Sequence, residues 1–89
     1  MTAEFTNFTT ESNWVNGKIG DDYWFEAKLF DVGSHFGIDN GRVSKLHVRH
    51  KGGDVICYDR GWDVRPSKTH KPAYQAIMTL LENSPKRFE

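Results

Sequence analysis

The chain has 89 residues, and its 12 basic and 12 acidic side chains give a formal net charge of zero at pH 7. This length fits one domain with a small core, and the balanced charge argues against a strongly electropositive nucleic-acid binder. One cysteine, Cys57, excludes an internal disulfide and is typical of a reducing compartment. Without a membrane-spanning run or a signal peptide, we expect one cytoplasmic domain over residues 1–89 with no membrane contact.

The N-terminal part of the chain predicts little regular structure before its first strand. Residues 1–12 are rich in Thr, Asn, Glu and Ser, and we expect them to form a flexible arm. Residues 14–19 are compatible with one strand or with a tight hairpin at Asn16-Gly17, since Asn-Gly is the strongest short hairpin signal. A single strand is the preferred interpretation, because the runs on either side of Asn16-Gly17 are very short.

Residues 23–30 have the clearest strand pattern in the chain. Alternate side chains of a strand point to opposite faces, so odd and even positions form separate sets. The odd set is entirely apolar and predicts a buried face, whereas the even set mixes rings with charges and predicts a solvent face. The odd set consists of Tyr23, Phe25, Ala27 and Leu29, and the even set of Trp24, Glu26, Lys28 and Phe30.

Residues 43–49 and 55–60 predict a second pair of strands, joined by a two-residue turn at Gly52-Gly53. This position of the turn sets Val48 opposite Cys57, so that Cys57 lies on the apolar face. The reverse face of the hairpin is then basic and aromatic. Its members are Lys45, His47, Arg49, Ile56, Tyr58 and Arg60.

The connection between the two clearest strands lies within residues 30–46 and, at about a dozen residues, is longer than a hairpin turn requires. Its three glycines do not match the dinucleotide fingerprint or the phosphate loop, because a strand rather than a helix follows them. We expect Phe36 and Ile38 to be buried at the end of the core. The side chains left exposed as a binding rim are Ser34, His35, Asp39 and Arg42.

The C-terminal third of the chain predicts the one helix, over residues 67–83, followed by a tail over residues 84–89. Its apolar stripe has the i, i+3, i+4, i+7 spacing of a helix that packs on a core: Ala73, Ala76, Ile77, Leu80 and Leu81. The predicted fold class is α+β. It is an antiparallel three- or four-stranded meander over residues 13–65 with one C-terminal helix packed on one face.

The titratable side chains do not form a recognisable metal or catalytic motif. The histidines and Cys57 lack the spacings of closed metal sites, and His47 and His50 point to opposite faces of one strand. Ser34-His35 lacks a third, orienting group. We therefore expect no metal, no cofactor and no enzymatic activity.

Two binding functions remain from the residue pattern. The basic and aromatic sheet face has the composition of a single-stranded nucleic-acid platform, although it equally fits a plain solvated face. Exposed Trp, Tyr and Arg also favour a protein interface, and an uncovered edge strand would permit a homodimer through the sheet. The candidate partner-binding residues are Trp24, Arg42, Lys45, His47, Arg49, Tyr58, Arg60 and Trp62.

Two blocks of the sequence, residues 25–46 and 58–63, resemble a family of small uncharacterised domains encoded largely in phage, prophage and plasmid genomes. The resemblance covers about residues 14–81, and it carries no catalytic residue because the family has no established activity. It implies a binding module that acts on a host protein or protein complex, as an inhibitor of a host defence complex such as a CRISPR effector. The alternative is a single-stranded nucleic-acid-binding domain that uses the basic and aromatic sheet face.

Overall fold

The computed structural model describes residues 1–88, which form one antiparallel sheet with one α-helix across it. The six strands of this sheet follow one another in chain order. The elements are β1 (Glu4–Asn7), β2 (Trp14–Ile19), β3 (Tyr23–Leu29), β4 (Val43–His50), β5 (Gly53–Asp59), β6 (Trp62–Val64) and α1 (Lys71–Glu82). The α+β class with an antiparallel meander is confirmed, but the predicted number of strands was too low.

The outermost strands, β1 and β6, are the two that the sequence does not predict as separate elements. β1 pairs Glu4 with Lys18 and Phe5 with Gly17, so part of the expected flexible arm is an edge strand. A segment this short has too few alternating apolar residues to be recognised from its own sequence. Its pairing with β2 and the contact between the Phe5 and Phe8 rings, 4.6 Å between centroids, attach it to the sheet.

One face of the sheet is apolar and is covered by α1. The buried residues of β3 are Tyr23, Phe25, Ala27 and Leu29, and those of α1 are Ala73, Ile77 and Leu81. They belong to one hydrophobic cluster, as the alternation in β3 and the stripe in α1 predict. Because burial of a Leu or Ile side chain stabilises a fold by about 1.5–3 kcal/mol, this face supplies most of the stability.

The helix is shorter than predicted and is preceded by a 3₁₀ turn, Lys68–His70. This turn is attached to the sheet by a polar contact, since the Tyr23 hydroxyl lies 2.8 Å from Nδ1 of His70. Within residues 1–88, no helix is long and apolar enough to cross a membrane.

The turn of the β4–β5 hairpin lies one residue earlier than predicted. Lys51 and Gly52 occupy it with φ of 51° and 83°, the left-handed values that a tight hairpin turn requires. The ladder also contains a bulge, because its register shifts between Val48 and Arg49. The Gly52-Gly53 dipeptide is compatible with either position of the turn, so the local sequence alone could not select one.

The earlier turn and the bulge together shift the pairing by one residue, which exchanges the two faces of β5 relative to the prediction. Val48 pairs with Ile56, and His47 pairs with Cys57. Ile56 and Tyr58 are therefore buried in the core, whereas the half-buried Cys57 lies on the opposite face. Such an exchange follows from any shift of one residue, since side chains alternate along a strand. Burial of Ile56 and Tyr58 beneath α1 favours the observed register.

Contacts of the backbone, rather than burial of aromatic rings, hold the long connection after β3 in place. Ile38 is buried as predicted, but the Phe36 ring is exposed, so the prediction for Phe36 was wrong. The Tyr58 hydroxyl donates a hydrogen bond to the Phe36 carbonyl oxygen at 2.9 Å. A side chain at Gly37 would overlap the carbonyl oxygen of Gly41, so the loop can close only with glycine at that position.

Arg42 attaches this loop to the C-terminal end of α1. Its guanidinium donates hydrogen bonds to the carbonyl oxygens of Ser84 at 2.6 Å and of Glu82 and Pro85 at 3.3 Å each. The Glu82 carboxylate accepts the Arg42 backbone N–H at 2.9 Å. Arg42 is expected on an exposed binding rim, but its donors are engaged within the fold.

Arg87 attaches the predicted C-terminal tail, residues 84–89, of which Glu89 lies outside the described residues. The guanidinium of Arg87 donates hydrogen bonds to the carbonyl oxygens of Leu29 at 2.6 Å and Thr9 at 2.7 Å. These contacts connect positions that are far apart in the chain, and no local sequence pattern indicates them.

Candidate functional site

The sheet face opposite α1 is the candidate site, and we refer to it as the open face. Its side chains come from alternate positions of β2 to β5, as the pairing of these strands requires. All of them are exposed or half-buried, because α1 packs on the other face. The open face consists of Trp14, Asn16, Lys18, Trp24, Glu26, Lys28, Lys45, His47, Arg49, Asp54, Cys57 and Asp59.

A histidine between two carboxylates occupies the centre of the open face. His47 on β4 pairs with Glu26 on β3, and its Nδ1 lies 3.7 Å from Oε1 of Glu26. Its Nε2 lies 2.8 Å from Oδ1 of Asp54, which follows the hairpin turn. These two contacts orient the imidazole ring and make the centre of the face polar.

Two shallow hollows lie on either side of the Glu26–His47 pair. One has a volume of about 380 Å³ and is lined by Trp24 and Arg49. The other has a volume of about 400 Å³ and is lined by Trp14. The tryptophan side chains are 38% exposed for Trp14 and 49% exposed for Trp24. The open face therefore offers two large rings beside two depressions that can accept side chains of a partner.

Two of the basic side chains of the open face, those of Lys45 and Arg49, are paired with acidic ones. Lys45 lies 3.6 Å from Asp59, and Arg49 lies 3.7 Å from Asp54. Because these pairs are solvent-exposed, each contributes only about 0–1 kcal/mol to stability. They nevertheless give the face a mixed charge, so it does not have the continuous positive potential that a phosphate backbone would require.

The structure brings together four of the eight residues that the sequence proposes for binding. Trp24, Lys45, His47 and Arg49 are neighbours on β3 and β4, with Trp24 paired to Arg49. Their position follows from the period-two pattern of these two strands.

Two of the remaining four, Tyr58 and Trp62, lie on the covered side of the sheet. Tyr58 is buried, and its ring contacts that of Trp62 with 5.0 Å between centroids. Trp62 also contacts the Tyr74 ring of α1 at 5.8 Å. The expectation that Tyr58 belongs to the basic face was therefore wrong, because it depended on the incorrect hairpin register.

Arg42 is engaged at the end of α1, as described above, and Arg60 lies at the bend between β5 and β6. Arg60 has a left-handed backbone with φ of 56°, and its N–H donates to the Ser44 carbonyl oxygen at 3.0 Å. Its guanidinium Nε lies 3.6 Å from Asp59, and the side chain is exposed. Arg60 is therefore accessible, but at the end of the sheet and away from His47.

Sequence reasoning missed Trp14 and Lys18 as members of the open face. A signal for them was present, since Trp14, Asn16 and Lys18 alternate with the buried Val15 and with Ile19 along β2. Continuing the alternation from β3 into β2 would have found both.

Cys57 lies on the open face but lacks the character of a reactive cysteine. Burial raises the pKa of its thiol, and the carboxylates of Asp54 and Asp63 raise that pKa further. The thiol is therefore protonated at neutral pH, which makes it a weak nucleophile and a poor metal ligand. Among the described residues, no three His, Cys, Asp or Glu side chains come together as a metal site would require.

Comparison with known proteins identifies the family of the chain. No curated protein and no solved structure matches the chain. A family model described as a domain of unknown function, DUF7678, matches residues 13–82. This span runs from the residue before β2 to the last residue of α1, so it includes the open face and the helix behind it. The chain therefore belongs to the DUF7678 family.

Proposed function

We propose that this chain is a protein-binding module and that the open face is its contact surface. The observation that supports this proposal is the exposure of two tryptophans, Trp14 and Trp24, on a sheet face that is otherwise polar. Tryptophan and arginine are enriched among the residues that dominate binding energy at protein interfaces. A chain with a small core gains stability by burying its large rings, so two rings left exposed on one face favour a role in recognition.

The mixed charge of the open face favours a protein partner over a nucleic acid. A phosphate that approaches Lys45 or Arg49 also meets the carboxylates of Asp59 and Asp54, which repel it. A protein surface can complement both signs at once. This comparison makes single-stranded nucleic-acid binding the weaker of the two functions.

One specific function for such a module is inhibition of a host defence complex, such as a CRISPR effector. Such an inhibitor would act by occupying a surface of a host protein. It would not imitate DNA, because a DNA mimic requires a strongly acidic surface and this chain has a net charge of zero. The binding function that we propose does not require a catalytic residue.

Affinity capture from host lysate tests the proposal when Trp24→Ala is compared with Phe88→Ala. Both rings are 49% exposed, but Phe88 lies outside the open face. We expect a partner that the wild-type chain and Phe88→Ala retain and that Trp24→Ala loses, with affinity at least about tenfold weaker by calorimetry. Capture of the same proteins by all three chains would contradict the proposal.

A second experiment separates the proposal from nucleic-acid binding. The double variant Lys45→Glu and Arg49→Glu changes the open face, and Lys68→Glu with Lys71→Glu makes the same change of charge near the start of α1. We expect neither the wild-type chain nor either variant to bind a labelled single-stranded oligonucleotide. Binding that weakens steeply with salt and is lost only in the Lys45→Glu, Arg49→Glu variant would support the nucleic-acid function instead.

A further inference from the structure

A cleft at the end of the sheet is separate from the two hollows of the open face. It has a volume of about 450 Å³ and lies between the loop after β3 and the bend after β5. Its apolar lining consists of Phe30, Val32 and Phe36, three side chains that are exposed to solvent. A contiguous group of exposed apolar side chains in a small soluble domain commonly marks a binding site. We refer to it as the end cleft.

Three cationic side chains surround the end cleft: Lys28, Lys45 and Arg60. Lys28 Nζ lies 5.7 Å from the centre of the Phe30 ring. One carboxylate, that of Asp59, lies 3.6 Å from both Lys45 and Arg60. Three positive charges therefore face one negative charge at the end cleft. Its mouth attracts negative groups, whereas the positive and negative charges at the centre of the open face are balanced.

The wall of the end cleft contains a buried serine, Ser44. Lys28 pairs with Lys45 and Leu29 pairs with Val43, so Ser44 is the extra residue of a β-bulge. Bulges commonly redirect a side chain towards a functional site. Ser44 is only 6% exposed and lines the end cleft.

We propose that the end cleft binds a short acidic segment of a partner protein. One aromatic or large aliphatic side chain of that segment packs between Phe30 and Phe36, next to Val32. Neighbouring Asp or Glu carboxylates pair with Lys28 and Arg60. This inference rests on the proposed function and names the chemistry of the partner.

The continuity of the two surfaces favours a peptide over a small molecule. Lys28 and Lys45 belong both to the open face and to the end cleft. A partner chain that lies across the open face can therefore enter the end cleft without leaving the surface. The volume of the end cleft suits one large side chain and its flanking groups.

Selection from a displayed library of random short peptides tests the inference. Peptides that bind the wild-type chain are retained, and those that also bind Val32→Glu are removed. We expect the retained peptides to share an aromatic or large aliphatic residue next to Asp or Glu. An absence of enriched peptides, or enrichment without acidic residues, would overturn the inference.

Calorimetry with a synthetic copy of a retained peptide tests whether the positive charges of the end cleft contribute to binding. Arg60→Glu is compared with Lys51→Glu, since both positions are exposed and have similar left-handed backbones, with φ of 56° and 51°. We expect Arg60→Glu to weaken binding at least about tenfold and Lys51→Glu to leave it within about twofold. We expect Ser44→Ala, which removes the hydroxyl alone, to weaken it severalfold. Equal effects of Arg60→Glu and Lys51→Glu would contradict the inference.

Binding of the same peptide to variants of the two surfaces distinguishes this inference from the proposed function. If its binding requires Val32 and Arg60 but not Trp24, the end cleft is a peptide site and the open face is not needed for it. If its binding requires Trp24 but is unchanged by Arg60→Glu, the open face binds protein and the inference about the end cleft is wrong. Competition by free 3-phenylpropionate at the affinity of the peptide would identify a small-molecule site and also overturn the inference.

Discussion

The two faces of the sheet are built from alternate residues of the same strands, yet their properties differ. On the covered face, Val15, Ala27, Val48 and Ile56 have no exposed surface. On the open face, the same strands carry tryptophans and solvent-exposed ion pairs. Packing on α1 therefore supplies the stability, whereas the open face contributes little to folding and is available for recognition.

The largest expected effect comes from Ile56 and Cys57, which are adjacent on β5 and face opposite sides. Ile56→Ala leaves a cavity beneath α1, and we expect the free energy of unfolding to fall by about 2–5 kcal/mol. Cys57→Ala removes a half-buried thiol, and we expect a loss below about 1 kcal/mol. Urea denaturation followed by circular dichroism measures both changes. Equal losses would contradict the observed hairpin register.

Alanine variants of Arg87 and Arg49 compare an arginine that holds the fold together with one on the open face. Arg87→Ala removes the hydrogen bonds to the Leu29 and Thr9 carbonyl oxygens, and we expect a loss of about 1–3 kcal/mol in the free energy of unfolding. Arg49→Ala makes the same change of side chain on the open face, where we expect a change within about 0.5 kcal/mol. Thermal and urea denaturation of both variants measure the difference. A larger effect of Arg49→Ala would show that the open face supports the fold.

The smallest expected effect concerns the pH dependence of alkylation of the Cys57 thiol. Burial, Asp54 and Asp63 raise the pKa of its thiol, so the thiolate forms at higher pH than in an unstructured peptide. We therefore expect alkylation by iodoacetamide to be slower than for a cysteine peptide at neutral pH, with a midpoint shifted to higher pH. Asp54→Asn should lower that midpoint, because it removes one of the carboxylates that oppose thiolate formation. A midpoint at or below that of the peptide would contradict the placement of Cys57 next to these carboxylates.

The sequence predicted those residues of the candidate site whose positions follow from the alternation within a single strand. Trp24 follows from the alternation in β3, and Lys45, His47 and Arg49 follow from the alternation in β4. Tyr58 was assigned to the wrong face because its position depended on how two strands pair. Arg42 was assigned to an exposed rim because its partners at the end of α1 are distant in sequence.

The sequence by itself determined the α+β class, the buried and exposed faces of β3, and the apolar stripe of α1. These features follow from the period of each element, which is a local property of the chain. The tertiary structure alone decided the register of β5, the addition of β1 and β6, and the attachments made by Arg42 and Arg87. The physical reason is that each of these depends on contacts between distant residues, where the burial of a few side chains selects one of several locally acceptable pairings.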